Sequence, residues 1–313
     1  MRTVAVVGAG FIGQGWVALM ARAGLEVRVF DSDRAQSARC IEAVRATLID
    51  MQEWNLIVSA DEAGKRIHAA ADLADAVQDA QYIQECVVEN SEVKSRLFAE
   101  LDAVASAQAV LASSCSAIPP DSFLSQPQHR QRCLVAHPFN PPHLIPLVEL
   151  VPSSWTDEAT LDSTKRFLQT LGLHPIVVRK PVKGYVVNRL QAAVIAEAMS
   201  LVEDGVVSPE DLDACMKHGL GRRWAFIGPF ETMDLNSAGG FREYVSKFYV
   251  DGYQEICADL NVDRPWGDAA LASIEHWRRT EIKGERELAQ RRRWRDQTLA
   301  ALSRLLGGVG DGR

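Results

Sequence analysis

Apolar residues fill positions 4–7 without a break and alternate with charged ones over 26–30. Between these runs, from 12 to 23, they recur every three to four residues. Short β-branched runs bounded by glycine read as strands, and the longer 3.6-residue period reads as a helix packed on them. Residues 3–8, 12–23 and 26–31 therefore predict strand, helix and strand, followed by a helical region from 34 to 56. Further strands are predicted at 82–88, 109–113, 133–137, 147–151 and 174–178, with helices at 91–103 and 157–171 among them. Such alternation calls for a mainly parallel sheet with helices on both faces.

After the turn-rich 180–184 the pattern changes. Val187, Leu190, Val194, Ala198, Leu201 and Val202 form a helical stripe that ends at Gly205. Ser208-Pro209-Glu210-Asp211 then supplies a serine N-cap, a proline at the first helical position and an acid three residues after the cap. Nothing beyond it alternates like a strand. At ~100–200 residues per domain the length suits two domains. The expected organisation is α/β: a Rossmann-type, mainly parallel sheet domain over 1–183 and an all-helical domain over 184–313.

Gly8, Gly10 and Gly13 lie between the first strand and its helix in Gly-x-Gly-x-x-Gly spacing. Gly8 suits a tight turn, Gly10 lets backbone approach a pyrophosphate, and Gly13 allows helix to pack closely on strand. Asp31 closes the second strand near the ~20-residue offset at which an acid bonds both ribose hydroxyls and repels a 2′-phosphate. Together these features predict an NAD site rather than an NADP site.

Composition narrows the setting. Hydrophobic residues make up 47% of the chain, yet no apolar run reaches membrane length, so no spanning helix is expected. Met1-Arg2-Thr3 leads directly into the first strand, which leaves no signal peptide to expect and favours a cytoplasmic location. A net charge of −7 argues against a nucleic-acid partner. The basic run Arg291, Arg292, Arg293 and Arg295 is flanked by Glu285, Glu287 and Asp296, as on a solvated or salt-bridged helix face. Six cysteines without C-x-x-C spacing support neither disulfides nor a zinc site, and most read as small buried hydrophobes.

His137 follows the apolar run Cys-Leu-Val-Ala and precedes Pro-Phe-Asn-Pro-Pro, which forces a loop where such sheets bind ligands. Twelve residues on, Glu149 has apolar neighbours on both sides. A carboxylate buried there needs a partner, and an imidazole N–H would serve while leaving the other ring nitrogen to take a proton. The pattern equally allows a capping histidine and an edge-strand glutamate facing water. Ser116 and Asn188, at two other element ends, are candidates to orient an oxygen or simply to cap backbone. Lys94, in the first turn of a helix, opposes the helix dipole and so calls for something anionic or hydroxyl-rich nearby. Glu89 and a cofactor ribose are the candidates.

Gly8-x-Gly10-x-x-Gly13, Glu89-Asn90-x-x-x-Lys94, Ser116, His137-Pro138-x-Asn140-Pro141-Pro142, Glu149 and Gly184-x-x-x-Asn188-Arg189 resemble the 3-hydroxyacyl-CoA dehydrogenase family in order and spacing, over nearly the whole chain. The run from Gly219 to Met233 and the tail Arg292-Arg293-Trp294-Arg295-Asp296 are similar to its lambda-crystallin branch, whose enzymatic members are L-gulonate 3-dehydrogenases. The resemblance implies that His137 is a general base, Glu149 its partner, and Ser116 and Asn188 the groups that position the reacting oxygen. It also implies that Phe11, Ile12, Asp31, Glu89 and Lys94 contact NAD, and that the protein is a homodimer.

Acyl-CoA-using relatives carry a lysine-rich surface after the second strand for the CoA phosphates. Here residues 34–66 hold five basic side chains (Arg34, Arg39, Arg45, Lys65, Arg66) against five acidic ones (Glu42, Asp50, Glu53, Asp61, Glu62), and so give no net field for a polyphosphate. A small hydroxy acid is the expected substrate, with Arg222 or Arg223 to hold its carboxylate, the resemblance favouring Arg223, and Asn140 as a further candidate contact. The expected reaction is oxidation of a 3-hydroxyl with NAD. The alternatives are 3-hydroxyacyl-CoA or L-carnitine as substrate, Trp224 being a possible face for a trimethylammonium group, and a non-catalytic crystallin-like or NAD-sensing role.

Overall fold

The computed structural model describes residues 2–260 and 262–308. By internal contacts the chain forms two compact units. One runs up to Asn188 and resumes at Trp294; the other is Arg189–Arg293. The contact units divide the chain after Asn188 and again inside the final helix, after Arg293; residues 309–313 of the expected helical domain over 184–313 lie outside the described residues.

The first unit is built on eight strands, β1 (Thr3–Val7), β2 (Glu26–Phe30), β3 (Ile67–Ala69), β4 (Tyr82–Glu85), β5 (Val110–Ser113), β6 (Cys133–Pro138), β7 (Leu147–Pro152) and β8 (His174–Val177). Their spatial order is β3-β2-β1-β4-β5-β6-β7-β8. Every neighbouring pair is parallel except β6 and β7, which run antiparallel. The helices of this unit are α1 (Phe11–Arg22), α2 (Arg34–Glu53), α3 (Ala60–Gly64), α4 (Leu73–Val77), α5 (Ser91–Val104) and α6 (Glu158–Thr170), together with the start of α7 (Val187–Glu203). Alternating strand residues supply two apolar clusters. Val4, Val6, Val27 and Val29 pack with Trp16 and Leu19 of α1, whereas Ala5, Val7 and Ile83 pack with Phe98 and Leu101 of α5.

The second unit continues α7 and adds α8 (Pro209–Cys215), a π-helical turn at Met216–Leu220, α9 (Gly221–Trp224), α10 (Pro229–Leu235), α11 (Gly240–Tyr244), a π-helical stretch at Val245–Tyr253, α12 (Gln254–Asp259) and α13 (Asp268–Glu281). The Ser208 hydroxyl accepts the Asp211 N–H with Pro209 at the first helical position, the start expected for α8. Among the described residues of this unit, only Met199, Ala270 and Ile282 are buried apolar side chains. Helix α14 (Glu285–Gly308) ends in the first unit, where Ala300 and Leu299 pack on Trp54 and Leu144. No helix among the described residues is long and apolar enough to cross a membrane.

Candidate functional site

The glycine turn joins β1 to α1. Gly8 has φ +101°, and a Cβ there would lie 2.6 Å from the Cys86 carbonyl carbon. A Cβ on Gly13 would lie 2.1 Å from Gly8 O, so any side chain would push α1 off the strand. Gly10 differs, because a Cβ there would meet nothing within 4 Å. That open face, at the N-cap of a helix with no side-chain cap, could cradle an anionic group. Phe11 stands 59% exposed beside it, and Ile12 packs on the core. A cleft of about 390 Å³ adjoins the turn, lined by Gly8, Phe30, Asp31, Leu73, Val87, Val93 and Leu97. Asp31 has a further contact that its spacing did not foretell: its Oδ2 accepts the Ala9 N–H at 2.8 Å and so ties the end of β2 to the turn.

His137 and Glu149 stand directly opposite each other across the antiparallel β6–β7 pair, so their side chains share a face. His137 Nδ1 lies 2.9 Å from Glu149 Oε2, and both residues are buried. Because β8 covers the other side of β7, Glu149 is not on an edge strand, which removes that alternative. Its Oε1 accepts the backbone N–H groups of Val186 and Val187 at 2.8 and 3.0 Å, where α7 begins. Burial would push the Glu149 carboxyl up; the His137 bond and the two backbone donors outweigh it and hold the group below the usual carboxylate range.

Ser116 and Asn188 meet in the same unit. Asn188 Nδ2 donates to Ser116 O at 3.2 Å, so the contact runs through backbone and takes no part of the Ser116 hydroxyl. Glu89 accepts the Ser116 and Ala117 N–H groups at 3.0 and 2.7 Å. Burial raises its pKa, but these backbone bonds and the Cys115 thiol outweigh that and leave it lowered. Asn140 is exposed in the loop after β6. Arg223 lies on α9 in the second unit, within reach of Tyr244: the Tyr253 hydroxyl holds the Tyr244 phenol up while the Arg223 charge pulls it down.

Lys94 pairs with an anion not named above. Its Nζ lies 2.6 Å from Glu85 Oε1, with Lys94 1% and Glu85 0% exposed. Glu85 also accepts from Ser113 Oγ and from the Val87 N–H. The signal for Glu85 was present in the chain: Gln84 and Glu85 close a central strand as two consecutive polar residues, and both are buried.

The family model described as 3-hydroxyacyl-CoA dehydrogenase, NAD binding domain, matches residues 3–181, and its C-terminal domain counterpart matches residues 184–267. Lambda-crystallin of Oryctolagus cuniculus is 39% identical over 306 residues, covering 96% of this chain and 95% of that protein. L-carnitine dehydrogenase of Pseudomonas putida is 33% identical over 306 residues, covering 96% and 93%. Among solved structures, FHMPC 5-dehydrogenase, an NAD+ dependent dismutase, has a TM-score of 0.81 at 28% identity and covers 98% of this chain and 99% of that one. With the glycine cradle in place and the family models spanning the chain from 3 to 267, this chain belongs to the 3-hydroxyacyl-CoA dehydrogenase family and is an NAD-dependent oxidoreductase of it.

Proposed function

We propose that the chain oxidises the 3-hydroxyl of a small hydroxy acid, in the manner of an L-gulonate 3-dehydrogenase, with His137 as general base. The observation that carries this reading is the buried pair of His137 Nδ1 and Glu149 Oε2 at 2.9 Å. A carboxylate on Nδ1 fixes the tautomer, so Nε2 is the nitrogen that accepts the substrate hydroxyl proton. Once the imidazolium forms, Glu149 stabilises its charge. The two backbone N–H groups on Oε1 keep Glu149 ionised to do so. Ser116 and Asn188 hold the reacting oxygen, supplying orientation. Gly8, Gly10, Phe11, Ile12, Gly13, Asp31 and Glu89 would hold NAD, which when bound supplies the hydride acceptor. Lys94 would contact NAD as well, while its charge balances Glu85 beneath the same strand ends.

The free acid is favoured over a CoA thioester by the fate of the basic residues after β2. Arg39 pairs with Asp33, Lys65 with Glu62 and Arg66 with Glu26, while Arg34 donates to Ala71 O. Arg39, Lys65 and Arg66 are thus balanced by neighbouring carboxylates, and Asn140 is left to meet a substrate hydroxyl. Taken by itself, the Arg223 guanidinium suits a substrate carboxylate. L-carnitine is the second reading, since Trp224 is 39% exposed on the same helix, but the Arg223 charge beside it opposes a trimethylammonium group.

The proposed functional division falls at 183/184. The assembly is a homodimer through the helical unit, whose Phe226, Phe230, Phe241, Phe248 and Trp266 are exposed. The free surface thiols Cys215 and Cys257 suit a reducing, cytoplasmic location. The deciding experiment follows NADH formation from L-gulonate, 3-hydroxybutyrate, L-carnitine and 3-hydroxybutyryl-CoA with the unmodified chain and with His137→Ala. Turnover of a free hydroxy acid that falls roughly 10²–10⁴-fold in the variant supports the reading. Unchanged turnover places the base elsewhere.

A further inference from the structure

Tyr185 combines three features that an ordinary helix-start aromatic lacks. Its φ is +50°, in the left-handed region that residues bearing a Cβ avoid. It is also fully buried. Its side chain reaches two separate parts of the site: the ring centroid lies 5.7 Å from that of His137 at an interplanar angle of 60°, and the hydroxyl donates to Ile118 O at 2.8 Å. Backbone strain that persists at a buried position is held there by what surrounds it, and it concentrates where geometry matters to function.

The loop that the hydroxyl reaches is the one carrying Ser116. Glu89 accepts the Ser116 N–H, and Asn188 Nδ2 donates to the Ser116 carbonyl. The bond from Tyr185 to Ile118 O is a third anchor, two residues further on. On the opposite side, the next two residues after Tyr185 give their N–H groups to Glu149. The segment 185–188 therefore touches His137, Glu149 and the Ser116 loop in succession. A phenylalanine would fill the same space, so what the hydroxyl adds is the tether. Burial pushes the phenol up, which keeps it a permanent donor.

We propose that Tyr185 is a positioning residue for hydroxy-acid oxidation: its hydroxyl fixes the Ser116 loop and its ring walls the His137 imidazole, so that one side chain sets the base and the serine relative to each other. The inference rests on the reading of His137 as base and Ser116 as the oxygen-holding group.

The test uses the full chain with Tyr185→Phe, Tyr185→Leu and His137→Ala. Tyr185→Phe is expected to lower kcat for the hydroxy acid about five- to tenfold, on the order of what one buried neutral hydrogen bond supports. NADH affinity, read by fluorescence titration, stays within twofold, and amide exchange quickens at residues 115–118. Tyr185→Leu, which also removes the wall, is expected to lower kcat about tenfold further. A Tyr185→Phe enzyme with unchanged kcat, with unchanged exchange at 115–118, or with NADH affinity lost in step with kcat overturns the proposal. His137→Ala separates the two readings. If it keeps full turnover, the base assignment fails and the tether with it; if it loses turnover while Tyr185→Phe does not, the tether alone fails.

Discussion

Lys94 and Glu85 form an ion pair of 2.6 Å between α5 and the end of β4, with both side chains out of contact with solvent. Removing one member of such a pair leaves the other charged and unpaired, at a cost of about 3–5 kcal/mol. Lys94→Met is therefore expected to lower unfolding stability by that amount in urea titration at neutral pH. Adding Glu85→Gln should recover a large part of the loss. A single variant as stable as the unmodified chain would show that the pair carries no structural load.

Asp31 has two tasks, bracing the glycine turn through Ala9 and, in the proposed reading, bonding the adenosine ribose. Asp31→Ala should raise the KM for NAD more than it lowers kcat, and the unmodified enzyme should prefer NAD strongly over NADP. Steady-state kinetics with both cofactors checks this; equal activity with the two sinks the ribose assignment.

Acid should unfold the first unit through its depressed carboxylates. Burial raises the Asp102 carboxyl, but the Arg132 bond and the His129 and Gln128 N–H groups outweigh it and leave it below its ordinary value; Glu149 and Glu89 shift the same way. The unfolded chain, with carboxyls near ~4, then binds more protons than the folded one in the acid range. The stability from these groups is thus complete above about pH 5 and lost as pH falls through the lower folded values. Asp102→Asn should reduce stability at pH 7 and make the loss below pH 5 shallower in urea titrations across pH. An unchanged acid limb would remove Asp102 as a contributor.

Arg223→Met tests the substrate class. Losing a charged hydrogen bond of about 1.5–3 kcal/mol should raise the KM for a free hydroxy acid about 10–150-fold. The matched CoA thioester is expected to be the poorer substrate of the unmodified enzyme. A higher kcat/KM for the thioester, together with acid turnover untouched by Arg223→Met, would move the chain to the acyl-CoA side of the family.

The alternation of strand and helix was legible because buried parallel strands leave continuous β-branched runs, as in Val4–Val7. Strand β3 escaped: it has three residues, of which only Ile67 is buried, too few to show a period. The antiparallel step into β7 is legible in the length of the loop before it. Residues 139–146 are too few for the crossover of a dozen or more that a parallel neighbour needs. At the site, the glycine turn showed itself because backbone sterics admit few alternatives there. Tyr185 did not, because its partners come from another strand and a distant loop and leave no mark at fixed spacing.

The dyad is assembled by two chain closures of unequal span. His137 meets Glu149 across twelve residues, and Glu149 meets Val186 across thirty-seven. Closure of the shorter loop is entropically easier, though only modestly so. In a refolding chain the imidazole gains its carboxylate once the β6–β7 register is set, but that carboxylate gains its own donors only when α7 has docked. Recovered turnover would therefore report the closure that brings Val186 and Val187 onto Glu149.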